Sequence, residues 1–174
     1  YGLGGHASDP YRAVNPLNIV SKLIQAFTEI PSQQIDAQKS AVVSNTYINA
    51  GNSVSLNIIP DTLEFGGNIR TFDKEVAESI EAKMKQILDG ICGYYDATYE
   101  FNFEHGARSV SNDKVKTRMI KTIVENSLKE KVISRNPGMF GEDFSAYSQV
   151  IPATFAMLGS NNNTKETQYP LHHP

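Results

Sequence analysis

LNIIPDTLEFGGNIRTF, residues 56–72, joins a short loop to a clear strand pattern. The loop contains Asn57 and closes at Pro60, and the strand ends at Arg70. Because successive side chains of a strand point to opposite faces, a core position for Ile69 would place Arg70 on the other face. An Asn amide and an Arg guanidinium near one cleft can hold a small carboxylate, so both are candidates for an anion site. The alternative is a solvated surface arginine, which is the commoner case.

Helical patterns lie on both sides of this stretch. Asn15 and Pro16 predict an N-cap and a first-turn proline for a helix that ends before Pro31. After the quoted strand, apolar residues recur every three or four positions over residues 76–91, with charges between them. This spacing predicts a second helix, which Asp73 can cap.

Two further stretches have the character of strands. Residues 40–50 are rich in β-branched and aromatic types, and residues 97–103 alternate apolar with polar side chains. The order helix, strand, strand, helix, strand predicts an α+β fold, in which an antiparallel sheet packs both helices on one face. A ferredoxin-like pattern has one more strand before the first helix, and we expect that strand to have been cut off at the N-terminus.

The regular pattern breaks around residues 106–112, where we place a domain boundary. We expect one domain over residues 1–108 and a second segment, with little core of its own, over residues 109–174. In this segment we predict a helix from Ser111 or Asn112, a strand at 132–134, a helical turn at 144–147 and a strand at 154–158.

Composition excludes several classes of function. The chain has 174 residues, 40% hydrophobic and 20% charged, which is typical of a soluble globular protein. A net charge of -3 offers no electrostatic footprint for nucleic acid, and no apolar run is long enough to span a membrane. The single cysteine, Cys92, suits a reducing, cytoplasmic location. Its place near the end of an apolar helix favours a buried hydrophobic role over a nucleophilic one.

Few residues suggest chemistry directly. The histidines are His6, His105, His172 and His173, and none belongs to an HExxH pattern. His6 is preceded by glycines that allow close approach of a ligand, although an exposed loop histidine is the alternative. We assign no role to His105, and the terminal pair is more typical of a surface than of a metal site. Glu142 and its acidic neighbour could be acid/base or ligand groups, or simply solvated. The residues alone thus indicate an α+β domain with a candidate anion site, and no particular reaction.

Five motifs in order carry a resemblance to a known family. The chain resembles the metal-dependent N-acyl-amino-acid amidohydrolases, which include hippurate hydrolases, aminoacylases and auxin-conjugate hydrolases. The motifs are GLGGHAS at 2–8, NIIP at 57–60, GNIRTF at 67–72, GEDF at 141–144 and YPLHHP at 169–174. The resemblance implies a two-domain enzyme with two divalent metal ions (zinc, manganese or cobalt). Residues 1–108 would be its lid domain, which lacks a first strand and carries the homodimer contact, and residues 109–174 an incomplete part of its α/β catalytic domain.

The resemblance also implies roles for individual residues. His6 is similar to the lid histidine that polarises the scissile carbonyl, usually in the active site of the neighbouring subunit. Asn57 and Arg70 resemble the pair that holds the carboxylate end of an N-acyl amino acid or small peptide-like substrate. His172 resembles the last metal ligand, and Glu142 lies in a loop near the active site.

The departures from the family pattern are as informative as the matches. The family's cysteine-and-histidine metal motif, its paired glutamates with the catalytic base, and a further histidine ligand are absent from these 174 residues. We therefore expect a piece of an amidohydrolase that binds no metal stably and is inert alone. The alternatives are a non-catalytic dimerisation or carboxylate-binding module, and a related dipeptidase or carboxypeptidase.

Overall fold

The structure is a computed structural model that describes residues 1–129 and 131–159. These residues form two compact units. The first contains residues 1–109 and 136–142, and the second contains residues 110–129, 131–135 and 143–159. The segment 136–142 therefore groups with the first unit, whereas the predicted boundary assigned it to the second.

The first unit combines two long helices with antiparallel strand pairs, which confirms the α+β class. Its elements are β1 (Gly5–His6), α1 (Pro16–Gln33), β2 (Ala41–Ala50), β3 (Ile58–Ile59), β4 (Leu63–Thr71) and α2 (Lys74–Tyr94). β2 pairs with β4 and β1 pairs with β3, and both pairs are antiparallel. A short 3-10 turn, Pro10–Arg12, lies between β1 and α1.

Helix α1 begins where the sequence predicts and ends later. The Asn15 side chain accepts a hydrogen bond from the Leu17 N–H at 3.0 Å, which confirms the N-cap. The predicted stop before Pro31 is wrong, because the helix continues to Gln33. Proline in the last turn removes a single intrahelical bond, while the Gln34 N–H still donates to the Ile30 carbonyl at 3.0 Å. Ile30 is fully buried and holds this turn against the core.

The core lies between the two helices and one face of the β2–β4 sheet. Its buried members are Ile19, Leu23, Phe27 and Ile30 of α1, and Val76, Ile80, Met84, Leu88 and Cys92 of α2. Phe65 and Ile69 of β4 pack against this cluster, while Arg70 is exposed, which confirms the predicted facing of the strand. Cys92 is only 4% exposed, and this burial raises the pKa of its thiol, so the predicted hydrophobic role is confirmed.

Residues 97–103 keep the predicted alternation of exposure without forming the predicted strand. Tyr99, Phe101 and Phe103 pack against the core, and the residues between them are exposed. A strand needs a hydrogen-bonded neighbour, and among the described residues this segment is bonded in that way only at Thr98. There the Tyr1 amino group donates to the Thr98 carbonyl at 2.8 Å, and the Thr98 N–H donates to the Tyr1 carbonyl at 3.0 Å.

The second unit is largely helical where it is regular. It contains α3 (Lys114–Ile123), a π-helical turn (Val124–Leu128) and α4 (Ser145–Ser148). α3 begins later than predicted because Asp113 is its cap, and the Asp113 carboxylate accepts from the Lys116 N–H at 2.8 Å. α4 confirms the predicted helical turn. In the parts of the chain that the structure describes, no helix is both long and apolar enough to cross a membrane.

The strands predicted at 132–134 and 154–158 are wrong. Neither stretch pairs with another strand in the described chain, although both have apolar character. The side-chain amide of Asn112 binds the second stretch instead, accepting from the Phe155 N–H at 2.8 Å and donating to the Phe155 carbonyl at 2.9 Å. The Asn112 side chain thus forms hydrogen bonds with Phe155 that a neighbouring strand would otherwise form.

Candidate functional site

The short β1–β3 pair brings His6 and Asn57 together. His6 lies opposite Ile58 in the register of this pair, and the Ala7 N–H donates to the Asn57 carbonyl at 2.9 Å. His6 and Asn57 are 51 residues apart in the sequence, and the stretches that carry them are adjacent in the structure. The structure therefore places the candidate catalytic histidine next to one of the two candidate carboxylate-binding residues.

Glycines before His6 allow this close approach. A Cβ atom on Gly4 would lie 3.0 Å from the Ile59 carbonyl oxygen, and a Cβ on Gly2 would lie 2.1 Å from that of Val14. The Gly2 N–H also donates to the Asp61 carbonyl at 2.7 Å, so the glycine-rich segment binds the turn that follows β3. Side chains at these positions would push the two backbones apart.

An open cleft of about 370 Å³ lies against this pairing. It is lined by Gly4, Gly5, His6, Ile58, Ile59, Pro60 and Asp61. The His6 ring is exposed, and its Nδ1 lies 2.7 Å from the Ser8 hydroxyl oxygen. The Ser8 backbone N–H donates to the same nitrogen at 3.2 Å. Within the described part of the chain, both hydrogen-bonding groups that contact the ring are thus on its Nδ1 side.

Arg70 has different neighbours. Its Nε donates to the Asn68 side-chain oxygen at 2.6 Å, and a Cβ on Gly141 would lie 3.1 Å from its Nη1. The guanidinium therefore lies beside Asn68 and the 136–142 segment, the segment that ends in Glu142. Sequence reasoning missed Asn68, although its spacing of two from Arg70 puts both side chains on one face of β4.

Arg70 lies near the end of β4 that is far from the turn after β3. The turn after β3 leads into β4 at Leu63, and Arg70 lies seven residues further along. At a strand rise of about 3.3 Å per residue, Leu63 and Arg70 are at most roughly 23 Å apart along the strand. The described contacts bring Asn57 to His6 and do not bring Arg70 to either of them.

The other candidates contribute little that the structure describes. His172 and His173 lie outside the described residues, and His105 forms an exposed pair with Glu81, Nε2 to Oε2 at 3.0 Å. No group of three or more His, Cys, Asp or Glu side chains in residues 1–129 and 131–159 could hold a metal ion. The described residues therefore do not fit the pair of metal ions that the family resemblance implies.

Comparison with known proteins decides the family. Residues 1–96, more than half of the chain, match the family described as the peptidase dimerisation domain. The chain belongs to this family. The two-helix unit with its antiparallel strands is therefore a peptidase dimerisation domain, and the family expected from the five motifs is confirmed.

Known relatives of this peptidase dimerisation domain match almost the whole length of the chain. Thermostable carboxypeptidase 1 of Saccharolobus solfataricus is 34% identical over 99% of the chain and 43% of its own length. N-acetylcysteine deacetylase of Bacillus subtilis is 33% identical over 97% of the chain and 43% of its own length. The chain thus spans less than half the length of these relatives.

A solved structure shows the same fold. A dinuclear metal binding peptidase of the M20 family from Bacillus subtilis, 29% identical, superimposes with a TM-score of 0.63. The match covers 79% of this chain and 35% of that one.

Proposed function

We propose that the whole protein is a metal-dependent amidohydrolase that cleaves the amide bond of N-acyl amino acids or small peptides. In this proposal residues 1–108 are the lid and the homodimer contact, and residues 109–174 are the C-terminal part of the catalytic domain. The relatives named as a carboxypeptidase and a deacetylase support amide cleavage. The single cysteine, which is buried, supports a cytoplasmic location.

The observation that carries the proposal is that His6 and Asn57 are neighbours, whereas the neighbours of Arg70 are Asn68 and the 136–142 segment. In a dimer a two-fold axis can bring the His6 end of one copy to the Arg70 end of the other. We propose such a composite site, with His6 and Asn57 from one copy and Arg70 from the other.

The chemistry of each side chain matches its proposed role. Arg70 offers a planar set of N–H donors that suits a carboxylate, and Asn68 holds its Nε. Asn57 of the other copy would hold the same carboxylate. The ring of His6 would donate to the amide oxygen, on which negative charge develops during attack; such a donor is worth about 10²–10³ in kcat.

The metal ions remain a prediction about the whole protein. Two divalent ions, zinc, manganese or cobalt, would be held outside the described residues, with His172 as the contribution from this chain. We place Glu142 in the active-site loop because it follows Gly141, which lies beside Arg70.

Kinetics of the intact protein test the role assignments. Arg70→Ala should mainly raise KM, because it removes binding of the carboxylate, whereas His6→Ala should mainly lower kcat. Arg118→Ala on α3 and His105→Ala are matched controls of the same residue types and should change neither constant much. Small and equal effects of Arg70→Ala and His6→Ala on kcat/KM would contradict the assignments.

The alternative hypothesis, a related dipeptidase or carboxypeptidase, differs from the deacylase hypothesis only in its substrate. Comparing N-acetyl amino acids with dipeptides as substrates of the intact protein separates it from the deacylase reading. The preferred class is the one with the higher kcat/KM.

A second candidate function applies to this chain by itself: dimerisation or carboxylate binding without catalysis. The lack of clustered metal-binding side chains in the described part of the chain favours it over catalysis by these residues alone. The 174-residue chain should then dimerise in sedimentation experiments and hydrolyse no N-acyl amino acid after addition of zinc, manganese or cobalt. Hydrolysis by the purified chain would contradict this reading.

A further inference from the structure

We propose that Ser8 is a positioning residue that holds the neutral ring of His6 in the tautomer with its proton on Nε2. Two polar groups of Ser8 lie at the Nδ1 side of the ring. No hydrogen bond of Nε2 is found within the described residues, so this nitrogen is open to a ligand. The tautomer determines whether that nitrogen is a donor or an acceptor.

The backbone N–H of Ser8 favours one direction for these bonds. It lies 3.2 Å from Nδ1, and an amide N–H can only donate. A second N–H on Nδ1 would place two donors against each other, so the amide favours the tautomer in which Nδ1 presents its lone pair. A neutral imidazole carries one N–H, which then belongs to Nε2.

The hydroxyl of Ser8 strengthens the same choice. Its oxygen lies 2.7 Å from Nδ1, and its proton can rotate toward that nitrogen. In the other tautomer Nδ1–H could donate to this oxygen, but the adjacent amide N–H would oppose it. Two donors from one residue therefore stabilise a single tautomer, which a ring with no partner or with one ambiguous partner would not ensure.

The backbone around His6 fixes where this N–H is presented. The Asp9 N–H donates to the His6 carbonyl at 2.9 Å and closes a tight turn, while the Ala7 N–H binds the Asn57 carbonyl. The ring is thus attached to a turn that is itself bound to the Asn57 loop. An Nε2–H at this place can donate to a carbonyl oxygen, whereas an unprotonated Nε2 would repel it.

Nuclear magnetic resonance reads the tautomer directly. The 174-residue chain, with 15N-labelled histidine, would be studied at a pH of about 8.5, well above the ordinary imidazole pKa. His6→Gln identifies the His6 signals by their loss. We expect the Nε2 resonance at the position of a protonated ring nitrogen and the Nδ1 resonance at that of an unprotonated, hydrogen-bonded one.

Substitutions of Ser8 test its part. Ser8→Ala keeps the backbone N–H and removes the hydroxyl, so both His6 resonances should move toward the average of the two tautomers. Ser8→Thr restores a hydroxyl and should restore the wild-type pattern. Ser21→Ala is a matched control, because the Ser21 hydroxyl donates to the Asn18 carbonyl within α1, and it should leave the His6 signals unchanged.

Three results would overturn the proposal: a wild-type ring with its proton on Nδ1, a ring that averages the tautomers as free imidazole does, or a Ser8→Ala ring identical to wild type. Amide spectra of each variant establish that it is folded.

The catalytic consequence rests on the proposed function and has a separate readout. In the intact enzyme Ser8→Ala should lower kcat by about fivefold at an unchanged KM, the change expected for one net hydrogen bond, and Ser8→Thr should restore it. If His6→Ala leaves kcat unchanged, the proposed role of His6 fails while the tautomer result stands. If His6→Ala abolishes turnover and Ser8→Ala has no effect on kcat, the positioning role of Ser8 is wrong.

Discussion

Replacing Gly67 with alanine should destabilise the chain, whereas the same change at its neighbour Gly66 should not. A Cβ atom on Gly67 would lie 2.1 Å from the Ser44 carbonyl oxygen on the paired strand, and one on Gly66 would meet no atom within 4 Å. Gly67 pairs with Asn45, beside the register shift between Asn45 and Tyr47. The two glycines thus share a strand and differ in what a methyl group would contact.

The expected change in the free energy of unfolding depends on which atom the added Cβ would contact. Because the Ser44 oxygen belongs to the backbone, no rotamer change can relieve the contact, and the strands must move apart. Forcing extra atoms into a packed site costs about 1–3 kcal/mol. At Gly66 the same methyl restricts the unfolded chain and should stabilise the fold by about 0.5–1 kcal/mol. The two variants should therefore differ by about 1.5–4 kcal/mol in the free energy of unfolding.

Urea unfolding of the 174-residue chain, followed by circular dichroism, measures this difference. With equal slopes, the midpoint should fall for Gly67→Ala and stay level or rise for Gly66→Ala. Equal midpoints, or a lower one for Gly66→Ala, would refute the reasoning and the strand register behind it. In the intact enzyme Gly67→Ala should also raise KM, since a shift of β4 moves Arg70.

Three further predictions concern single side chains. Asn68→Ala in the intact protein should raise KM with little change in kcat, because the Arg70 Nε loses its partner; an unchanged KM would contradict this. The pKa of Tyr99 is raised by the hydrogen bond that its hydroxyl donates to Asp89, with burial and the Asp89 charge adding to the effect. That bond stabilises the folded state fully below a pH of about 10, the ordinary tyrosine pKa, and its contribution is lost as the pH rises through the raised value. The stability advantage of wild type over Tyr99→Phe should therefore shrink above that pH, and an advantage that grows would be the contrary result. Cys92, buried and with a raised thiol pKa, should react with a thiol reagent only as fast as the chain opens, and rapid labelling of the native protein would contradict its burial.

The regular elements of the first unit could be predicted because their signals are local. The apolar spacing of α2 and the capping pair before α1 act within a few residues, and both helices form as expected. The end of α1 could not be placed, because burial of Ile30 outweighs the local effect of Pro31. The segment 97–103 has the alternation of a strand, yet pairing depends on a neighbour that no local pattern reveals.

Sequence chemistry indicated the types of the candidate residues, whereas their arrangement depends on the fold. His6, Asn57 and Arg70 were identified as candidates from the sequence, but their grouping depends on the two-residue β1–β3 pair, which is too short to show a periodic signal. Chemistry alone suggested one site for Asn57 and Arg70, and the described contacts give the two residues different neighbours. The partners Ser8 and Asn68 were missed because a side-chain contact over two residues depends on the local backbone shape.

Subunit mixing tests the central claim, a composite site built from two copies, most directly. His6→Ala and Arg70→Ala forms of the intact enzyme would be mixed in equal amounts under conditions that exchange subunits. Activity would be assayed at a substrate concentration well below the KM of Arg70→Ala, where each form alone is nearly inactive. In each mixed dimer one site then has the intact Arg70 of one copy and the intact His6 of the other. With random exchange half of the dimers are mixed, so about a quarter of the wild-type activity should return. No recovery, in a mixture shown to contain mixed dimers, would mean that both residues serve one site within a single copy and would contradict the account.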